Sequence, residues 1–283
     1  MSNVKVSYQG EPGAYSEAAA LAFFGDGITT IACHNFDQVF EAVSSGECNH
    51  GMIPIENSLA GSIHRNYDLL LRHDLQLIGE YHLRVSHCLL ALPGVTLDQV
   101  EVIHSHPQAL AQCENNLSRL KVRQVAEADT AGSARMIREF NDPSAAALAS
   151  RRAAVVYGLE ILVENMEDNP ANFTRFLALA PHYKGYSHPI NDRQNKTSIV
   201  FSLQNTPGSL FKALSVFALR DIDLTKIESR PIPGKPWEYM FYIDFIGHIQ
   251  EPVCERAIAH LQELAPYLRI LGSYPRHLLS EPA

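Results

Sequence analysis

The stretch VKVSYQGEPGAYSEAAALAFFG, residues 4–25, decides the fold class. Apolar and polar side chains alternate through its first residues, the period of a β-strand. Gly10, Pro12 and Gly13 then punctuate a turn, and residues 14–24 are rich in helix formers. Strand, glycine loop and helix in succession open an α/β domain. The loop would present backbone N–H groups at a helix start, where an anion is favoured. It lacks both the G-x-G-x-x-G of dinucleotide sites and the Gly-Lys-Ser/Thr of phosphate loops, so alone it reads equally well as a tight β-to-α turn.

The pattern continues outward. FDQVFEAVSSG (36–46) is an amphipathic helix with Phe36, Val39, Phe40 and Val43 on one face. HGMIPIENS (50–58) is a short buried strand running into a polar turn, SIHRNYDLLLRHD (62–74) a third helix, and residues 75–94 one or two strands. A second lobe begins near there. Residues 100–120, 122–140 and 145–159 each read as strand, polar turn and helix, which implies a parallel sheet with active groups at the strand C-terminal ends. Residues 182–196 are polar, with Pro and Gly, and read as a linker. From Thr197 the order becomes βαββαβ over about 80 residues, the ferredoxin-like arrangement.

Bulk properties narrow the function. The chain has 283 residues, 46% apolar and 19% charged, enough to bury a sizeable core. Its net charge is −8 and no basic stripe occurs, so nucleic-acid binding is not expected. Any anion site must be local. The five cysteines are scattered without C-x-x-C, which suits free thiols in a reducing cytoplasm. There is no apolar leader at the start and no run long enough to span a membrane, so no membrane association is expected. The thirteen histidines include no H-x-x-x-H or H-E-x-x-H, and no metal is expected.

Polar groups gather at several strand-to-helix turns. Glu11, Gly13 and Tyr15 belong to the first. Glu56, Asn57, Ser58 and Ser62 belong to the second, which holds more polar groups than one helix cap requires. Ser105, His106 and Gln108 open one helix of the second lobe, and Asp129, Thr130 and Ser133 open another. Each hydroxyl alone reads as an N-cap; distributed over two lobes, they suggest a cleft gripping a small polar anion. Thr174 and Arg175 lie between Phe173 and Phe176. A surface ion pair would explain the arginine. The flanking rings argue for burial, and a buried arginine suits a substrate carboxylate.

The motifs G-E-P-G-A-Y-S, P-I-E-N-S-x-x-G, H-P-Q-A-L-x-Q-C, D-T-A-G-S-A, Y-G-L and N-F-T-R-F occur in order. Together they resemble the prephenate dehydratase family. P-G-S-L-F-K-A-L and E-S-R-P resemble its regulatory ACT domain. The likeness covers roughly residues 4 to 275. Ser209 stands where the family usually has Ala, and Asp129 where many members have Ser. Relatives with an N-terminal chorismate mutase domain exist; that activity is not expected here.

The resemblance implies two α/β lobes similar to periplasmic binding proteins (residues 1–181), with crossings near 79–83 and 161–172. A linker (182–196) and an ACT domain (197–275) would follow. It implies conversion of prephenate to phenylpyruvate without a cofactor. Thr174 would donate to the departing hydroxyl, Arg175 would clamp a carboxylate or organise Thr174, and Phe176 or Phe173 would line an apolar pocket. Glu11, Gly13, Tyr15, Asn57, Ser58, Ser105, His106, Gln108, Thr130 and Ser133 would bind substrate. L-phenylalanine would inhibit where two ACT domains pair. Asn205, Pro207, Gly208, Ser209 and Leu210 would lie on one side, with Glu228, Ser229, Arg230 and Pro231 opposite. A homodimer through ACT domains, assembled into a homotetramer, follows. Two alternatives stand beside this: an arogenate dehydratase, whose substrate ammonium needs an acceptor in the cleft, and a non-catalytic amino-acid sensor.

Overall fold

The computed structural model describes residues 4–182 and 194–278. It forms two compact units, residues 1–63 with 82–176 and residues 64–81 with 177–283. Most of the expected linker therefore lies outside the described residues. Asn195 and Lys196, expected in the linker, already belong to a strand.

In the first unit, one lobe contains β1 (Lys5–Gln9), α1 (Tyr15–Phe24), β2 (Thr29–Cys33), α2 (Phe36–Ser44), β3 (His50–Asn57) and β4 (Gly61–Ser62). Strand β1 is parallel to β2 and β3, and β4 folds back antiparallel on β3. The periodic helix α2 buries Val39, Phe40 and Val43 as its pattern requires, and Asn35 caps it by accepting from the Gln38 N–H. The chain then passes through α3 (His64–Arg72) and β5 (Leu75–Arg84). Residues 79–83, expected as a crossing, lie inside β5, and the crossing follows that strand.

The second lobe contains β6 (Cys88–Ala91), β7 (Val102–Ser105), α4 (Pro107–Gln112), α5 (Glu114–Leu120), β8 (Arg123–Ala126), α6 (Thr130–Phe140), β9 (Ala145–Ala149), α7 (Arg151–Tyr157) and β10 (Glu160–Val163). Its sheet runs β10-β6-β9-β7-β8. Strands β7, β8 and β9 are parallel as expected, whereas β6 and β10 add two antiparallel pairings. Every residue of β9, Ala-Ala-Ala-Leu-Ala, is buried. Such a run suits a strand covered on both faces, and small side chains let helices approach closely. After β10 the chain returns at β11 (Phe173–Pro181), in the sheet ordered β2-β1-β3-β11-β5.

The two lobes are fastened behind the first turn. The Ser150 hydroxyl donates to the Gly13 carbonyl at 2.5 Å, and the Tyr157 hydroxyl to that of Pro12 at 2.8 Å. Gly13 has φ +92°, and a Cβ there would stand 2.7 Å from Ala153 Cα. Only glycine meets both demands.

The second unit carries β12 (Asn195–Ser202), α8 (Ser209–Ala218), β13 (Leu224–Pro231), β14 (Tyr239–Ile246), α9 (Pro252–Leu264) and β15 (Tyr267–Pro275). The sheet order β13-β14-β12-β15, all antiparallel, realises the βαββαβ pattern. Ile199, Phe201, Ile243 and Phe245 pack with Val216, Phe217, Ile258 and Leu261 of the two helices. The other face of the sheet meets α3 and β5. Tyr242 donates to the Tyr67 carbonyl at 2.7 Å, and Lys196 meets Glu80 at 2.8 Å with both side chains buried.

Candidate active site

A cavity of about 390 Å³ opens inside the first unit, where strand ends and helix starts of both lobes converge. Tyr15, Asn57, His106, Gln108, Thr130, Thr174 and Phe176, all singled out from sequence, line it. Pro54, Ile63, Val85, Ala109 and the fully buried Phe176 give it apolar walls.

Six expected residues lie elsewhere. The buried Ser105 hydroxyl donates to the Leu148 carbonyl at 2.6 Å. Ser133 donates to the Asp129 carbonyl at 2.8 Å, one turn back on its own helix. Ser58 donates to the Ala171 carbonyl and accepts from the Phe173 N–H, tying the second turn to β11. For these three hydroxyls the backbone is the partner. Gly13 is occupied in the fastening of the lobes, and Glu11 stands 3.7 Å from Arg135. Arg175 is 5% exposed and outside the cavity lining. Strand alternation explains this, because its neighbours Thr174 and Phe176 take the cavity face.

Other residues complete the site. Asn57 Nδ2 donates to Thr174 Oγ1 at 3.0 Å and to Asn172 Oδ1 at 2.8 Å. Asn172, fully buried, donates to Gln112 Oε1 at 3.1 Å, and that oxygen lies 3.0 Å from His87 Nε2. His87 Nδ1 in turn lies 2.8 Å from the Tyr15 hydroxyl. Gln112 and His87 line the cavity; Asn172 stands behind it. One sequence signal pointed to Gln112: it follows Gln108 by four residues, the spacing of one helix face. Burial lowers the His87 pKa, against the opposing effects of the Gln112 hydrogen bond and Glu167. Burial raises that of Tyr15 well above its usual value.

Thr174 receives this hydrogen bond on its oxygen, so its own proton can be donated to a ligand in the cavity. Asp129 also lines the space, while one of its oxygens caps α6 by accepting from the Gly132 N–H at 2.6 Å. No group of His, Cys, Asp and Glu among the described residues forms a metal-binding cluster.

The ACT-like part has its own cavity of about 190 Å³. It is lined by Asn205, Gly208, Ser209 and Leu210 together with Trp237, Tyr239 and Phe241. Pro207 does not reach it, nor do Glu228, Ser229, Arg230 and Pro231 of β13. Glu228 and Arg230 instead face α3, at 3.4 Å from His64 and 3.0 Å from Asp68.

These features define a two-lobed α/β enzyme with a ferredoxin-like ACT domain. The prephenate dehydratase family model matches residues 6–184, and that of the ACT domain residues 197–258. The chain belongs to the prephenate dehydratase family of carbon–oxygen lyases. It is 50% identical to the chloroplastic arogenate dehydratase/prephenate dehydratase 2 of Arabidopsis thaliana, over 97% of this chain and 73% of that one. It is also similar to the prephenate dehydratase of Arthrobacter aurescens, solved in complex with L-Phe, at TM-score 0.87 and 33% identity, covering 96% of this chain and 90% of that one. GqqA, described as a novel type of quorum quenching acylase, matches at TM-score 0.90 and 38% identity over 96% and 98% of the two chains. No described helix is long and apolar enough to cross a membrane.

Proposed function

We propose that the chain is a prephenate dehydratase that forms phenylpyruvate and is inhibited by L-phenylalanine at its ACT domain. The Thr174 hydroxyl carries this reading, since it is oriented by Asn57 toward a cavity with apolar walls. In the reaction the bond from the ring to its carboxylate breaks and CO₂ departs. That electron pair aromatises the ring and expels the C4 hydroxyl, which leaves as water once protonated. Thr174 hydrogen-bonds this hydroxyl as it leaves, and the apolar walls formed by Phe176 and Val85 favour conversion of a carboxylate to neutral CO₂. Arg175, buried in the same strand and outside the cavity lining, organises Thr174 from there. Release of phenylpyruvate from prephenate, with and without L-phenylalanine, is the test. Binding of phenylalanine with no turnover would favour a sensor.

A second reading, arogenate as substrate, has one observation in its favour. Asp129 is the only carboxylate among the described residues lining the cavity, and arogenate brings an ammonium. Turnover of both substrates by the wild-type protein and by Asp129→Ser decides between them. If the carboxylate serves the ammonium, arogenate turnover falls in the variant and prephenate turnover does not.

For the effector, the cavity at Asn205–Leu210 and the αL residue Gly208 at the start of α8 suit an amino-acid carboxylate against backbone N–H groups. Phe211 and Trp237, 76% and 77% exposed, line its mouth and suit pairing with a second copy in a dimer. The free, buried cysteines suit a reducing compartment, and we assign the cytoplasm.

A further inference from the structure

The hydrogen-bond chain behind the cavity has a fixed polarity. Backbone N–H groups of Leu59 and Ala60 both donate to Asn57 Oδ1, at 3.0 and 2.9 Å. An N–H only donates, so the Asn57 amide cannot be turned around, and its nitrogen must face Asn172. The facing atom of Asn172 is therefore oxygen, and its nitrogen donates to Gln112. The Gln112 oxygen then accepts, so His87 Nε2, 3.0 Å away, carries a hydrogen. Two backbone amides thus dictate the tautomer of a distant imidazole.

The other end of the ring has two states. His87 Nδ1 lies 2.8 Å from the Tyr15 oxygen, which also lies 2.9 Å from the Ser86 carbonyl. A phenol has one proton. If Tyr15 donates to Nδ1, the imidazole is neutral and the Ser86 carbonyl loses that donor. If Tyr15 donates to Ser86, Nδ1 must itself carry a hydrogen and His87 is a cation. One proton can be added without displacement of any heavy atom. The charged surroundings allow it: Glu167 accepts from the His87 backbone N–H at 2.9 Å and is paired with Arg84 at 3.0 Å. Cys88 is its chain neighbour, Cys113 lies near Tyr15, and His106 and Asp129 also line the cavity.

Among the described residues lining the cavity there is no Lys or Arg. Prephenate and arogenate each bring two carboxylates. We propose that His87 supplies the positive charge beside the substrate, its two ring nitrogens held by Gln112 and Tyr15, taking up one proton from solvent as the dicarboxylate binds while Tyr15 swings its O–H to Ser86. This rests on the dehydratase reading in requiring a dicarboxylate, and it holds for either substrate. In the empty cavity His87 is neutral at physiological pH, because burial lowers its pKa. The arriving anion supplies the missing countercharge.

The test is the pH dependence of kcat/KM for both substrates, in wild type and in His87→Gln. A glutamine there keeps an N–H for Gln112 and cannot ionise. Wild-type kcat/KM is expected to fall about tenfold per pH unit above the free-state pKa of His87, and His87→Gln to be flat over that range. Nitrogen-15 NMR of the free wild type is expected to show the neutral Nε2–H tautomer. A shared profile in both proteins, or an Nδ1–H tautomer, overturns the inference. If neither dicarboxylate is turned over, the dehydratase reading falls together with the reason for charging His87, and the tautomer is still judged by NMR. Should His87→Gln fail to fold, Tyr15→Phe serves. Phenylalanine there removes both the donor to the neutral ring and the acceptor for the cation, so the fall must move along the pH axis; an unmoved profile overturns the inference.

Discussion

Arg230 holds Asp68 through two parallel hydrogen bonds, Nε to Oδ1 at 3.1 Å and Nη2 to Oδ2 at 3.0 Å. Arg230 belongs to the E-S-R-P motif of β13, and Asp68 to α3. Helix α3 begins directly after Ile63, which lines the active-site cavity. The E-S-R-P strand is thus anchored to the helix that follows Ile63 in the chain.

Asp68→Asn is therefore expected to weaken inhibition by L-phenylalanine several-fold while uninhibited kcat stays within about twofold, since such coupling energies are typically 1–3 kcal/mol. Both side chains are partly exposed, so the pair itself contributes only about 1 kcal/mol to stability. Inhibition curves together with thermal melts check both statements.

Removing the Thr174 hydroxyl should remove its hydrogen bond to the leaving group and little else. Thr174→Ala is expected to lower kcat by about 10²–10⁴-fold, the usual range for a positioned proton donor. Phenylalanine binding should be retained, and Thr174→Ser should recover much of the rate. Steady-state kinetics and calorimetric titration measure this.

The Lys196–Glu80 pair is 2.8 Å long, with side chains 6% and 0% exposed. Lys196→Met alone removes the ammonium from a buried carboxylate that still accepts from the His277 N–H, at a cost of about 3–5 kcal/mol. The double variant Lys196→Met/Glu80→Leu should recover most of that loss. Denaturant unfolding of the three proteins is the measurement.

At Gly13, alanine meets both a positive φ and the backbone of Ala153. Gly13→Ala is expected to lose about 1–3 kcal/mol or more. Gly46, also at positive φ but with open space around it, should tolerate alanine better. A side-by-side melt of the two variants separates steric contact from backbone strain.

Much of this was legible in the sequence where a residue's local pattern matched its final surroundings. The βαββαβ order after Thr197 was readable because turns bound each periodic segment. Strand β2, Thr-Thr-Ile-Ala-Cys, went unseen because its residues are mostly half-buried and do not alternate. In the cavity, Asn57 stood out because polar groups crowd around it, and Thr174 because it and Arg175 are set between two aromatic rings. Gln112, Asn172 and His87 did not, since their roles arise only when residues far apart in sequence meet. Ser58, Ser105 and Ser133 misled for the opposite reason: backbone carbonyls take their hydroxyls, from the same helix at Ser133 and from distant strands and turns at Ser105 and Ser58, which no local pattern shows.

The fastening at Gly13 and Pro12 has a consequence for how a ligand enters. A pair of lobes joined only by two crossings could swing apart like a jaw. Here Ser150 and Tyr157 pin the first turn from across the cleft. A swing that separates the lobes at this edge breaks both hydrogen bonds and unpacks Ala153 from Gly13. At that edge the lobes move as one, so any widening of the cleft pivots about the Gly13 turn rather than away from it.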